Sequence, residues 1–464
     1  MVTAAVARRE VRATLVLAVP LVLTQLAQMT MSFVDVIMIG RLGTAALAAG
    51  VLGSSTFFTL LLVCVGMVLA VNPSVAQSYG AGDEAEVGRW ARQGLWLGVF
   101  LGVPLVALFG YAEPLLRAAG QEPTTAALAA DYLRAIRWGV LPNLWFAALR
   151  SLCEGTGRPR PVLVVMLIAA GVNVLCNWVL MYGKLGFPAL GLEGAGWASA
   201  LAMTTMFALL GGYVRRSPEF RRYRIFAGLR RPDGPHLRRL FRLGWPIGVN
   251  FGLEAGLFLV ATLLVGLFGT AALAAHQVAL NAASVTFMVP LGIGMAGTVR
   301  VGQAVGRGDG AAAARAGWAA IGMGASFMLA AALLFWLRPE WVVWLYTGQG
   351  GGEGVAPETV ELAALLLGIA AVFQLFDGTQ ATAAGALRGL KDTRVPMLIG
   401  GFSYWVVGMS AAVGLGFGLR LGATGIWWGL TLGLATAAVL LTARFRRRVR
   451  VEAAAAPAVL TARP

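Results

Sequence analysis

Leu42 to Ala49 reads LGTAALAA, and Phe268 to Ala275, 226 residues later, reads FGTAALAA. The same offset, without a gap, pairs Pro20 with Pro246, Gly66 with Gly292, Gln77 with Gln303, Gly80 with Gly306, Asp83 with Asp309 and Arg89 with Arg315. Chance rarely keeps one register that long. A duplicated, strongly apolar chain fits the plan of secondary transporters, in which a binding site lies between two related bundles that open to each side in turn.

Composition agrees. Apolar residues make up 58% of the chain and charged residues 12%, outside the range of soluble domains. Apolar runs able to cross a bilayer, at roughly 20 residues each, fall near 14–38, 47–76, 91–111, 132–151, 162–183, 190–214, 244–267, 273–299, 316–338, 359–386, 396–418 and 422–443. The expected fold is an all-α polytopic membrane protein with twelve transmembrane helices in two pseudo-symmetric six-helix bundles. Backbone groups in lipid must bond internally, and no alternating barrel pattern competes. The expected organisation is an N-terminal lobe over 1–214, a basic linker over 215–243, a C-terminal lobe over 244–443, and a basic then Ala-rich tail over 444–464.

Charge orients the helices. With the N-terminus inside, the inward segments collect most of the arginines, including ten between Arg215 and Arg242 and the run from Arg444 to Arg450. The outward segments hold only Arg41, Arg117, Lys184, Arg338 and Arg420, and the loop around Gly351 falls outside. Positive residues held inside predict cytoplasmic termini, and an even number of crossings per half predicts parallel repeats. The net charge of +16 therefore reflects topology rather than nucleic-acid binding. Near-exclusive use of arginine over lysine suggests a GC-rich bacterial genome, hence a bacterial inner membrane.

Several chemistries are excluded or unsupported. The first segment is too long for a signal-peptide core and lacks a small-residue cleavage site, so it is read as helix 1. Cys64, Cys153 and Cys176 are widely spaced in or beside apolar segments and predict packing, not a disulfide frame or a zinc site. Lys184 and Lys391 are followed by Leu185 and Asp392, so no Walker A lysine exists and no ATPase subunit is implied. His236 and His276 are too far apart for a metal helix. Gly292, Gly294 and Gly297 match GxGxxG inside an apolar helix, where close helix packing explains them better than a dinucleotide.

What remains is three acids inside long apolar runs, Asp35, Glu254 and Asp377, the other acids falling at segment ends, in loops or in the tail. An Asp at mid-helix costs about 2.5–3.5 kcal/mol on translocon scales, a cost that marks function. Position 254 corresponds to Gln28 in the first half, and position 35 to Ala261, so the halves differ at their polar positions. Asn173 and Asn177 are four apart on one helical face, where their amides could bond Asp35 or share a cation with it. A proton and a cationic drug are alternative ways of neutralising one buried carboxylate, and that exclusion is antiport. Pro20 and Pro246 lack a backbone donor and are candidate bends.

Pro20, Gln25, Gln28, Asp35 and Gly40-Arg41-Leu42-Gly43, then Ala275-His276-Gln277-Val278-Ala279-Leu280-Asn281, Pro290 to Ala296 with Val299-Arg300-Val301-Gly302, and Leu387-Arg388-Gly389 with Lys391-Asp392-Thr393 resemble the multidrug and toxic compound extrusion (MATE) family, NorM-like branch. The resemblance spans about residues 14–443. It implies a secondary active exporter, not an enzyme, that needs no cofactor and antiports organic, often cationic and amphipathic, compounds against inward sodium or protons. It places Asp35, Asn173 and Asn177 in a cation and substrate region, with Ser199 where relatives often have Thr, and matches Glu254 and Asp377 to acidic positions linked to cation coupling. Each group is a candidate sodium site. Four residues before Asp377, where such relatives can carry a Tyr, stands Phe373, which removes an oxygen from the second group. Gln28, Phe373 and Pro20 are the expected modulators, small-molecule drugs and the bilayer the expected partners, and a monomer the expected state. A flippase for lipid-linked saccharides shares the duplicated architecture, and an integral-membrane enzyme would need acids or histidines clustered at a membrane face.

Overall fold

The structure, a computed structural model, describes residues 4–229, 231–347 and 357–460; the expected outer loop at Gly351 lies outside them. The described residues are helical almost throughout. In chain order the helices are α1 (Ala4–Gly40), α2 (Thr44–Val68), α3 (Val71–Gly80), α4 (Glu84–Gly110), α5 (Ala112–Ala118), α6 (Pro123–Ile136), α7 (Val140–Gly155), α8 (Arg160–Tyr182), α9 (Gly191–Arg216) and α10 (Pro218–Arg221). There follow α11 (Gly234–Gly266), α12 (Thr270–Gly306), α13 (Gly310–Leu337), α14 (Pro339–Thr347), α15 (Pro357–Gly389), α16 (Arg394–Gly401), α17 (Met409–Val413) and α18 (Gly422–Leu460). Two π-helical stretches, Phe402–Gly408 and Gly414–Gly418, flank α17.

Eleven helical stretches among the described residues are long and apolar enough to cross a membrane. The remaining expected crossing, 132–151, is α6 and α7 joined by a 3₁₀ turn at Arg137–Gly139. Pro142 in the first turn of α7 has no N–H to return to Trp138, so the α-helix breaks there. Pro73 in α3 does the same, and α2 gives way to α3 at Leu69 and Ala70, four and three residues before it.

The repeated residues recur because they do the same local work. Gly43 and Gly269, with φ of 111° and 106°, precede α2 and α12 in a backbone conformation that only glycine adopts freely. Asp83 accepts from the Glu86 N–H at 2.9 Å, and Asp309 from the Ala312 N–H at 2.7 Å, capping α4 and α13.

Contacts divide the chain into two compact units, residues 23–252 and residues 1–22 with 253–464. The expected boundaries at 214 and 244 follow the repeat; the contacts divide the chain elsewhere, inside α1 and α11. The reason is a pair of close crossings. A Cβ on Gly66 would lie 2.8 Å from Gly248 Cα, and a Cβ on Gly292 would lie 2.8 Å from Val22 N. Val22 and Gly248 are themselves related by the 226-residue offset, so both units make the same crossing. Glycine there lets backbones meet, the usual basis of helix packing in lipid.

Within residues 23–252 a core from Phe57, Val75, Leu133, Leu144 and Leu210 holds the helices together. The basic linker is strapped to α4. The Asp233 N–H donates to Gln93 at 3.1 Å, Trp96 Nε1 donates to the Leu229 carbonyl at 3.0 Å, and the His236 ring lies between Glu86 and Asp233 at 3.3 and 3.0 Å. In the other unit, Leu366, Phe373, Trp427 and Phe445 centre the core. There α18 meets α17 through small residues: a Cβ on Gly429 would come within 2.2 Å of Ala412 Cα. The GxGxxG glycines each admit a different neighbour, Val22 at Gly292, Ala381 at Gly294 and Ala320 at Gly297. Large apolar side chains such as Ile37, Leu263 and Val439 stay exposed, as a lipid-facing surface requires.

Candidate functional site

The sequence-predicted residues fall into two clusters, one in each unit. In residues 23–252, α8 presents Asn173 and Asn177 on one face, both fully buried. Asn177 Nδ2 donates to Asp35 Oδ1 at 2.6 Å and to Asn173 Oδ1 at 3.2 Å, which uses both of its N–H groups. Tyr182 Oη donates to the Met38 carbonyl at 2.8 Å and pins the end of α1 beside α8. Two buried polar atoms of this cluster, Asn173 Nδ2 and Asn177 Oδ1, have no hydrogen-bond partner among the described residues. Buried polar groups are normally paired, so the cluster fits a polar ligand or an ion. With the free lone pairs of Asp35 it offers several oxygens, the donor set of a hard cation.

Ser199 and Tyr132 are both buried, and Tyr132 lies within electrostatic reach of Asp35. Tyr132 was not legible as a site residue, because α6 comes to α1 and α9 only through the fold. Gln28 is exposed on α1, its carbonyl accepting from Ser32.

In the other unit, α15 carries Asp377 and Gln380 one turn apart, and α11 brings Glu254 to them. Gln380 Nε2 donates to Glu254 Oε1 and to Asp377 Oδ1, at 3.3 Å each. The two acids are thus bridged neighbours, not isolated charges as each looks along the sequence. Tyr404 Oη, from the first π-helical stretch, donates to Gln380 Oε1 at 2.9 Å and fixes which end of the amide faces the carboxylates. Extra-wide helical turns often occur at functional positions. Arg388, which the sequence assigns to a cytoplasmic helix end, is half-buried and acts electrostatically on Glu254.

Phe373 is buried, its ring edge-on to Phe258 and Trp427 at 6.1 and 5.4 Å. It supplies packing and no oxygen. His276 is equally structural: Trp427 Nε1 donates to Nδ1 at 3.1 Å, which puts the ring proton on Nε2, 2.9 Å from Thr262 Oγ1.

One buried acid escaped the sequence reading. Glu154 has a fully buried side chain, pairs with Arg150 at 2.6 Å, and accepts from Asn72 Nδ2 at 3.0 Å. Arg150 also donates to Gln25 at 2.7 Å. The i,i+4 spacing of Arg150 and Glu154 was the available signal. Glu154 does stand at a helix end, next to the last residue of α7, and is buried there by packing against Asn72 of α3. Glu154 is locked by a fixed cation, whereas Asp35 is held by a neutral amide. Only the second kind can exchange its partner for a mobile ion without leaving a buried charge behind.

Residues 20–179 and 246–413 match the MatE family. The "Probable multidrug resistance protein NorM" of Mesorhizobium japonicum is 43% identical over 446 residues, covering 96% of this chain and 95% of its own. The protein of the same name in Rhodopseudomonas palustris is 45% identical over 451 residues, covering 97% and 94%. Among solved structures, the eukaryotic MATE transporter AtDTX14 superposes with a TM-score of 0.85 at 20% identity, covering 97% of this chain and 99% of its own.

Proposed function

The chain belongs to the MatE family, and from that premise we propose that it exports amphipathic organic cations by antiport against inward sodium or protons. It is a multi-pass membrane transporter of twelve helices, not an enzyme. The observation that carries the proposal is the difference between two acids: half-buried Asp35 is hydrogen-bonded by a neutral amide, and buried Glu154 by an arginine.

In this reading Asp35, Asn173 and Asn177, with Tyr132 and Ser199 behind them, take a cation or a proton and release it when the drug binds. Glu254 and Asp377 share the Gln380 amide and form a second coupling group, in which Phe373 offers no oxygen to sodium. Each ligand then biases the transporter by binding one state better than the other. A saccharide-lipid cargo, carrying phosphates, would meet acids rather than cations at these clusters. The protein acts as a monomer in a bacterial inner membrane, with both termini in the cytoplasm.

Cells making the protein should accumulate less of a fluorescent organic cation. Collapsing the ion gradients should restore accumulation, and ATP depletion at a held gradient should not. Phe373→Tyr should raise any sodium dependence of the flux. Export that persists with no ion gradient refutes secondary coupling. For topology, a reporter inserted near Asp233 or fused after Arg448 should report the cytoplasm, and one near Gly351 the outside. An outside signal at Asp233 overturns the orientation.

A further inference from the structure

A cavity of about 830 Å³ opens on the outer surface of the unit formed by residues 1–22 and 253–464, between α13, α15 and α18. Its wall is apolar, from Trp318, Leu375, Phe376 and Val439, and its α18 end is basic, from Arg446, Arg447 and Arg450. One stripe of α18 turns from apolar to cationic, since Val439, Ala443, Arg446 and Arg450 recur at helical spacing. Arg444 and Arg448 point elsewhere, to Asp392 at 2.9 and 3.3 Å. The groove arginines are exposed, and none of the three forms an ion pair among the described residues.

Thr442 lines the same groove, and its buried Oγ1 has no hydrogen-bond partner among the described residues. Trp318, half-exposed and edge-on to Phe445 at 5.7 Å, is the kind of residue that sits at a membrane–water boundary. The duplicated position carries a lesser version. Gly191 and Gly422, with φ of 57° and 60°, start α9 and α18 alike, and counting from them sets Gly212 and Arg216 against Ala443 and Arg447. Gly212 and Arg216 also line a groove, of about 520 Å³, with that single arginine.

We propose that the α13–α15–α18 groove binds an anionic phospholipid of the cytoplasmic leaflet. One acyl chain lies against Phe376 and Val439, and the phosphate is held by Arg446, Arg447 and Arg450. The charge decides the occupant: an apolar slot alone suits any lipid, but unpaired arginines at its inner end select a negative headgroup. Only the leaflet depends on the orientation proposed above, so a failed topology test would leave the binding itself untouched.

The test uses full-length protein in a non-ionic detergent, titrated with dioleoyl-phosphatidylglycerol or dioleoyl-phosphatidylcholine and read by native mass spectrometry. At about fivefold per arginine, the triple variant Arg446→Gln, Arg447→Gln, Arg450→Gln should lose phosphatidylglycerol binding by about a hundredfold, with phosphatidylcholine little changed. Removing equal charge from the exposed linker, by Arg231→Gln, Arg238→Gln and Arg239→Gln, should leave binding intact. Val439→Trp, an exposed position, should weaken both lipids by filling the slot, and it serves if the triple variant does not fold. Retained phosphatidylglycerol binding in the groove variants overturns the proposal, as does equal loss in the linker variants. Full competition by soluble glycerol phosphate would reduce the site to a bare phosphate site and also overturn it.

Discussion

Purified Asp35→Asn protein in vesicles should insert, keep its melting temperature, and fail to exchange drug against an ion gradient. The substitution nearly preserves shape, and the new side chain retains an oxygen to accept from Asn177, now 2.6 Å from the carboxylate. A neutral amide is also cheaper to hold in the membrane than a carboxylate, so stability is not at stake. What disappears is the charge that a cation would meet. Losing one partner of a buried charged pair costs about 2–5 kcal/mol, roughly a 30- to several-thousand-fold drop in coupled flux. Exchange at the wild-type rate would eliminate this cluster as the coupling site. A variant that melts early would show instead that Asp35 is part of the scaffold.

Arg150→Leu should do the opposite, damaging the fold first. Glu154, with a fully buried side chain, would keep Asn72 and lose its cation. Breaking a buried pair by removing one member costs about 3–5 kcal/mol, whereas replacing both by apolar groups is often neutral. The double variant Arg150→Leu, Glu154→Leu should therefore recover most of the melting temperature lost by the single one, at a matched scan rate. If the double variant melts as low as the two single losses summed, the pair is not the reason Glu154 tolerates burial.

The contrast between these two acids marks what the chain discloses by itself. Duplication was legible because its shared residues serve local needs: Asp83 and Asp309 cap helices, and Gly43 and Gly269 take a conformation other residues avoid. Asn173 and Asn177 were legible as one face, since four residues make a helical turn. Tyr132, Gln380 and Tyr404 were not, because their partners come from elsewhere in the fold, and periodicity carries no information about which helices meet. Arg150 and Glu154 were placed at a helix end, where the structure has them, but their burial was not legible. They stand near the end of α7, and what buries them is packing from distant elements, Asn72 of α3 against Glu154 and Gln25 of α1 against Arg150. Arg388 was likewise placed at a helix end, the last turn of α15, and only its partial burial there came from the fold.

The paired crossings at Gly66 and Gly292 bear on how the protein is made. Gly66 is covered by Gly248, and Gly292 by Val22. A ribosome releases the first long before the second of each pair is ready: Gly66 waits for α11 to emerge, and Val22 for α12. At about 5–20 residues per second, each wait is on the order of ten seconds or more. During that time the small-residue face of α2 and the first half of α1 sit in the bilayer without their final neighbours. Each repeat can insert on its own schedule, but it cannot finish packing until the other has been synthesised.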